Sequence, residues 1–135
     1  MNSGVYAILM YLPEKKEISF GKHKRVFERG YYVYVGSAMK NLDARVKRHI
    51  SKKKRMKWHI DYLLKHVKIL DVSRIHTTRR LECVLNKSIS RLGSVLINGF
   101  GSSDCKCVSH LHYFRTLPGR KFRVKINLNG VENPP

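Results

Sequence analysis

The chain has 135 residues, 42% of them hydrophobic, with 28 Lys plus Arg against 9 Asp plus Glu and a formal charge of +19. That length accommodates one compact domain, residues 1–135, and the apolar share excludes a basic disordered tail. So strong a positive field draws polyanions, which makes nucleic acid the expected partner. No apolar run approaches the ~20 residues of a bilayer span, and no long basic amphipathic helix offers itself to a membrane surface. The start of the chain lacks the basic, apolar and cleavage regions of a secretory signal. Three cysteines, an odd number, do not make a disulfide framework, so a reducing cytoplasm is expected.

In chain order, residues 4–12 (GVYAILMYL) form a continuous apolar run ended by Pro13 and read as a buried strand. Residues 14–29 are charged, with Ile18 and Phe20 alternating, which predicts a short hairpin strand and a basic loop. Residues 31–36 (YYVYVG) are aromatic and β-branched, the composition of a central strand. Asn41 can cap a helix with Asp43 in its first turn, and Leu42, Val46 and Ile50 give that helix a core stripe. Arg45 and His49 fall on the neighbouring face, four residues apart, so both can address one site.

Trp58 to Val67 has a second helical pattern, with Ile60, Leu63, Leu64 and Val67 inward, and residues 69–75 read as a strand. Thr77 or Thr78 can cap a third helix whose stripe is Leu81, Val84, Leu85, Ile89 and Leu92. Glu82 and Asn86 lie four apart on it. A Gly/Ser-rich loop, a Cys/His cluster, two β-like stretches (111–114 and 122–126) and a Gly/Pro tail complete the chain.

Cleavage of a phosphodiester needs an activated nucleophile, relief of phosphate charge and help for the leaving oxygen. A divalent cation on oxygen ligands serves two of these needs, and Mg²⁺ often takes only one or two carboxylates. Glu82 is a carboxylate suited to that. An arginine grips two phosphate oxygens, and a phenol or imidazole moves a proton. Taken singly, Tyr6 and Tyr34 read as half-buried sheet residues, Arg45 and His49 as a solvated basic face, and Glu82 as a surface charge or a partner for Arg79. Their joint occurrence in this order is what carries the functional reading.

Gly4-Val5-Tyr6 and Tyr34-Val35-Gly36, followed by Arg45, His49 and Glu82, resemble the GIY-YIG nuclease superfamily. The longer blocks GYYVYVGSA, LDARVKRH, WHIDYLL and GFGSSDCKCVSH resemble more closely its DUF123 group, the Uri-type endonucleases. The resemblance implies an α+β fold with a small three-stranded antiparallel sheet flanked by helices, here with an extra N-terminal hairpin and a C-terminal β extension. It implies metal-dependent hydrolysis of DNA with one Mg²⁺, or Mn²⁺ in its place. Tyr6 would be the general base or water-orienting phenol, Tyr34 a second phenol placing water or phosphate, Arg45 the transition-state cation, His49 a proton relay or phosphate contact, and Glu82 the metal ligand. Two departures stand out: the long basic hairpin between the tripeptides, and a late asparagine with no certain counterpart, Asn86 or Asn98.

Phosphate contacts are expected from Lys22, Lys24 and Arg25, from Lys52, Lys53, Lys54 and Arg55, from Arg120, Lys121 and Arg123, and from His59. The expected partner is DNA, with branched, damaged and single-stranded forms all left open by the sequence. Cys105, Cys107 and His110, completed by Cys83, form an alternative zinc set, although their spacing is not that of a zinc knuckle. Asp104 or His110 can instead join the metal or phosphate site. Against the endonuclease reading stand a non-catalytic nucleic-acid-binding module of the same fold and a zinc-organised RNA- or protein-binding adaptor.

Overall fold

The computed structural model describes residues 2–20, 22–51, 54, 56, 58–92, 95–97, 100 and 109–118. In chain order they form β1 (Gly4–Leu12), β2 (Lys16–Phe20), β3 (His23–Phe27), β4 (Gly30–Ala38), α1 (Leu42–Ile50), α2 (His59–Leu64), β5 (Lys68–His76), α3 (Glu82–Ser90), β6 (Val95–Leu96) and β7 (Leu111–Phe114). This is an α+β fold. Its main sheet is antiparallel, with strand order β5-β1-β4-β7-β6, and β2-β3 make a separate two-stranded hairpin. Three strands, β5-β1-β4, form the expected antiparallel sheet; the expected C-terminal extension joins it as β7 at the β4 edge, followed by the two-residue β6. The second β-like stretch, 122–126, lies outside the described residues.

Both faces of the central strands are covered, which is why β1 is a continuous apolar run rather than an alternating one. On one face Ile8, Met10, Leu12 and Tyr32 pack with Leu42 and Val46 of α1, with α2, and with Ile18 and Phe27 of the hairpin. On the other, Val5, Ala7, Leu9, Val33 and Val35 pack with Leu81, Leu85 and Ile89 of α3. The charged segment 14–29 is therefore a full hairpin, tied to the core through Ile18 and Phe27. Between β1 and β5 the register shifts by one at Leu9/Met10, and the extra residue, Leu70, is exposed.

The helix ends differ from the sequence expectation. Asn41 occupies the N-cap of α1 in the left-handed conformation (φ 55°), but its side chain makes no cap bond. Asn2 does that work from the chain start: its Oδ1 accepts the Asp43 N–H at 3.1 Å and its carbonyl accepts the Leu42 N–H at 2.9 Å. Leu81, not a threonine, precedes α3, and Thr77 Oγ1 accepts the Arg79 N–H at 3.0 Å in the turn before it. Ile50 is 43% exposed, and His49 takes the third place in the buried stripe after Leu42 and Val46. Positions i, i+4 and i+7 share one helix face, so the imidazole is directed into the protein.

Candidate functional site

β1 and β4 run side by side with Tyr6 opposite Gly36 and Ile8 opposite Tyr34, so both tyrosines stand on the sheet face that α1 covers. Their ring centroids are 6.5 Å apart. The glycine is a steric requirement: a Cβ at Gly36 would come within 2.3 Å of the Tyr6 hydroxyl. At Gly4 the crowding comes from β5, where a Cβ would meet the Ile75 carbonyl oxygen at 2.0 Å. Each glycine of the two tripeptides thus allows a close approach that any side chain blocks.

The Tyr6 hydroxyl lies 2.8 Å from His49 Nε2, and the His49 ring sits 5.9 Å from that of Tyr34 and 5.7 Å from that of Trp58. Burial raises the Tyr6 pKa, the neighbouring Tyr34 and Glu82 add to the rise, and Arg45 opposes it. Tyr34 is pushed up to about 12 by burial and by the Glu82 charge. Burial lowers His49 to about 4, and Lys54, Arg48 and Arg45 push the same way against Asp61. Phenol and imidazole are therefore both neutral at pH 7. In the tautomer with its proton on Nδ1, His49 accepts the Tyr6 O–H through Nε2, which fixes the direction of the phenol.

Arg45 and Glu82 approach from opposite sides of the sheet and meet at one residue, Ser37. Arg45 Nη1 donates to the Ser37 carbonyl at 2.8 Å, and Ser37 Oγ donates to Glu82 Oε1. The second carboxylate oxygen of Glu82 lies 2.5 Å from His110 Nδ1, so the imidazole rather than Arg79 stands against it. Arg45 is further held over Trp58, with its guanidinium carbon 5.2 Å from the ring centroid. Arg48 stacks on the same indole at 4.5 Å and forms a two-pronged pair with the buried Asp61 at 3.0 and 3.1 Å, which also accepts the Trp58 N–H. The Trp58–Asp61 segment is thus a support for α1 and its arginines.

A hollow of about 520 Å³ opens on the α3 side, lined by Ser37, Glu82, Cys83, His110, Arg79 and Arg80, among others. Tyr6, Tyr34, Arg45 and His49 lie on the opposite side of the sheet end, with Ser37 between the two groups. Among the described residues no cluster of three or more His, Cys, Asp or Glu side chains forms a metal cage. One partly exposed carboxylate beside a hydroxyl and an imidazole fits a cation that keeps most of its own water and takes its remaining ligands from a phosphate.

The remaining expected residues distribute as follows. Lys24 and Arg25 lie on β3, and Lys22 in the turn before it. Lys54 Nζ is engaged by the Arg48 and His49 carbonyls, at 3.2 and 2.7 Å, so it caps the end of α1. His59 is exposed at the start of α2, with its ring 5.9 Å from that of Phe100. Lys52, Lys53, Arg55, Asn98, Asp104, Cys105, Cys107, Arg120, Lys121 and Arg123 lie outside the described residues. Cys83 and His110 do share the hollow, with His110 turned toward Glu82. Asn86 is buried, donating to the Ser109 carbonyl at 2.8 Å and meeting His112 Nε2 at 2.6 Å, so it braces the segment that delivers His110. Ser37 is the residue that sequence reasoning missed. A small residue at a strand exit carries no chemical signature, and its place directly after Tyr34-Val35-Gly36 was the signal available.

The fold and site define a small, strongly basic α+β protein with paired phenols, an imidazole, a guanidinium and a carboxylate gathered around one end of its sheet. Residues 5–131 match the family described as Domain of unknown function DUF123, and the chain belongs to that family. No curated protein and no solved structure matches it. Among the described residues no helix is long and apolar enough to cross a membrane.

Proposed function

We propose that the protein is a metal-dependent DNA endonuclease of the GIY-YIG type, acting at the Tyr6, Tyr34, Arg45, His49 and Glu82 site. The observation that carries the reading is Ser37, which ties the guanidinium of Arg45 and the carboxylate of Glu82 to one residue beside the phenol pair. Glu82 would hold a Mg²⁺ or Mn²⁺ ion, which supplies charge relief at the scissile phosphate. Arg45, fixed by Ser37 and Trp58, stabilises the charge that builds on the phosphoryl oxygens. Tyr6 orients the attacking water through a hydroxyl that His49 Nε2 holds at 2.8 Å. Tyr34 crowds the same space and positions water or phosphate, while Arg79 and Arg80 on the hollow meet the flanking backbone.

The test is relaxation of supercoiled plasmid with Mg²⁺, Mn²⁺ or EDTA. Glu82→Ala is expected to lose nicking by at least roughly a hundredfold, the scale of a lost metal contribution, with DNA affinity held within a few fold. Unchanged cleavage in that variant removes Glu82 from the mechanism. A second reading, a non-catalytic nucleic-acid-binding module, is favoured by two features: Glu82 already has both oxygens engaged, and the phenols are only 2% and 8% exposed. DNA retardation without cleavage under every metal would decide for it.

A further inference from the structure

We propose that the far end of the sheet is a second nucleic-acid site, a stacking platform for single-stranded DNA built on Tyr11 and Tyr31. The register places these residues in one cross-strand row over four strands: Lys68 on β5, Tyr11 on β1, Tyr31 on β4 and Phe114 on β7. Residues opposite one another in a sheet project to the same face, and this is the face that α3 covers further along. The two tyrosine rings lie 4.9 Å apart at 36°, both half-buried, and Tyr31 packs on the edge of the core cluster beneath α3.

Beside the pair is a hollow of about 220 Å³ lined by Tyr11, Tyr31, Arg29, Arg115 and Thr116, among others. Arg29 and Arg115 are exposed, as is Lys68. Among the described residues none of these three cations has a carboxylate partner; the nearby Glu28 pairs with Lys15 at 3.7 Å. The Arg29 backbone is fixed, because its carbonyl accepts the Tyr113 hydroxyl at 2.7 Å. Rigid aromatic faces flanked by unpaired cations are what a single strand needs, with bases on the rings and phosphates on the guanidinium and ammonium groups. Duplex DNA hides its base faces and gains only the phosphate contacts.

Ser37 and Tyr31 project to the same face of β4, six residues apart, so about 20 Å of sheet separates the platform from the proposed cleavage site. A strand seated on Tyr11 and Tyr31 would run beside α3 toward Glu82. The choice of DNA over RNA rests on the nuclease reading; the platform itself does not.

The experiment is fluorescence anisotropy of a labelled 20-mer of oligo-dT, with a labelled duplex and an oligo-U 20-mer alongside. The full chain is compared with the double variant Tyr11→Leu/Tyr31→Leu, which keeps apolar volume and removes the π faces, and with Arg29→Ser/Arg115→Ser on the exposed rim. The leucine pair is expected to weaken oligo-dT binding about tenfold or more while duplex binding stays within about twofold. The serine pair is expected to weaken both and to flatten the salt dependence. Native circular dichroism in the serine pair keeps the test readable if the leucine pair unfolds, and a loss confined to duplex would then overturn the platform. Equal loss on oligo-dT and duplex in the leucine pair, unchanged oligo-dT affinity, or no oligo-dT binding by the unaltered chain each overturn it, and tighter binding of oligo-U overturns the choice of DNA. Plasmid nicking is read separately: its absence from the unaltered chain removes the nuclease reading and leaves a loss of oligo-dT affinity standing.

Discussion

A methyl group on Gly36 would sit 2.3 Å from the Tyr6 hydroxyl and 2.4 Å from its ring carbon Cζ. Tyr6 has little room to yield, being buried between the sheet and α1 and bonded to His49. Gly36→Ala is therefore expected to displace the phenol from the imidazole. Overpacking of this kind costs about 1–3 kcal/mol, seen as a fall in Tm, and it breaks the hydrogen bond that orients the phenol. The accompanying measurement is nicking rate, which is expected to fall further than the stability loss explains; a folded variant of full activity would show that the Tyr6–His49 contact is dispensable. The two buried histidines set a second prediction at this scale. His49 and His112 are both lowered to about 4, each chiefly by burial. Between pH 6.5 and 4 the unfolded chain binds protons at these positions that the folded chain does not. The stability they contribute is complete above pH 6.5 and drains as pH falls toward 4, by up to roughly 1.4 kcal/mol per pH unit for each histidine. Urea midpoints at pH 7, 6 and 5 read the slope, and His49→Gln should reduce it. An unchanged slope in that variant would mean that His49 is not held neutral.

Elements place the site through their ends. α1 carries Arg45 and His49 on successive turns, so its position relative to β4 sets both the Ser37 and the Tyr6 contacts. Its start is held by Asn2, a residue 41 positions before Asp43, and its end by Lys54. Removing the Asn2 amide in Asn2→Ala frees the Asp43 N–H and is expected to cost about 1 kcal/mol, a drop of a few degrees in Tm. If Asn41 rather than Asn2 were the cap, the loss would appear in Asn41→Ala instead. The strands and helices were legible because apolar runs and i, i+4 spacing report directly on burial. What was not legible is where a polar residue takes an apolar place. Val84 sits about 100° round α3 from Leu85 and is 47% exposed, while Asn86 and Ser88 are buried. Asn86 is inside because His112 and the Ser109 carbonyl, more than twenty residues on, supply its partners. The same limit hid Ser37: its role exists only when β4, α1 and α3 meet. Tyr6, Tyr34, Arg45, His49 and Glu82 stood out because their types are chemically distinctive, and their neighbours, being ordinary, did not.

At the scale of the whole molecule, charge is the dominant fact. A formal +19 on 135 residues gives every polyanion an attractive approach, and this makes strong binding by itself uninformative about a site. Salt dependence separates general attraction from placed contacts, because each phosphate neutralised adds about −0.9 to the slope of log K against log salt on duplex DNA. Arg79 and Arg80 precede α3 and line the same hollow as Glu82, and among the described residues neither guanidinium has a carboxylate partner. Replacing both in Arg79→Ser/Arg80→Ser is expected to reduce the slope by about 2 and to weaken binding by a similar factor on every duplex sequence. Lys54→Ser, by contrast, removes a cation already engaged by the carbonyls ending α1 and should leave the slope nearly unchanged while lowering stability. If the two arginines behaved like Lys54, the duplex would not pass over the Glu82 hollow, and the proposed cleavage site would lose its substrate path.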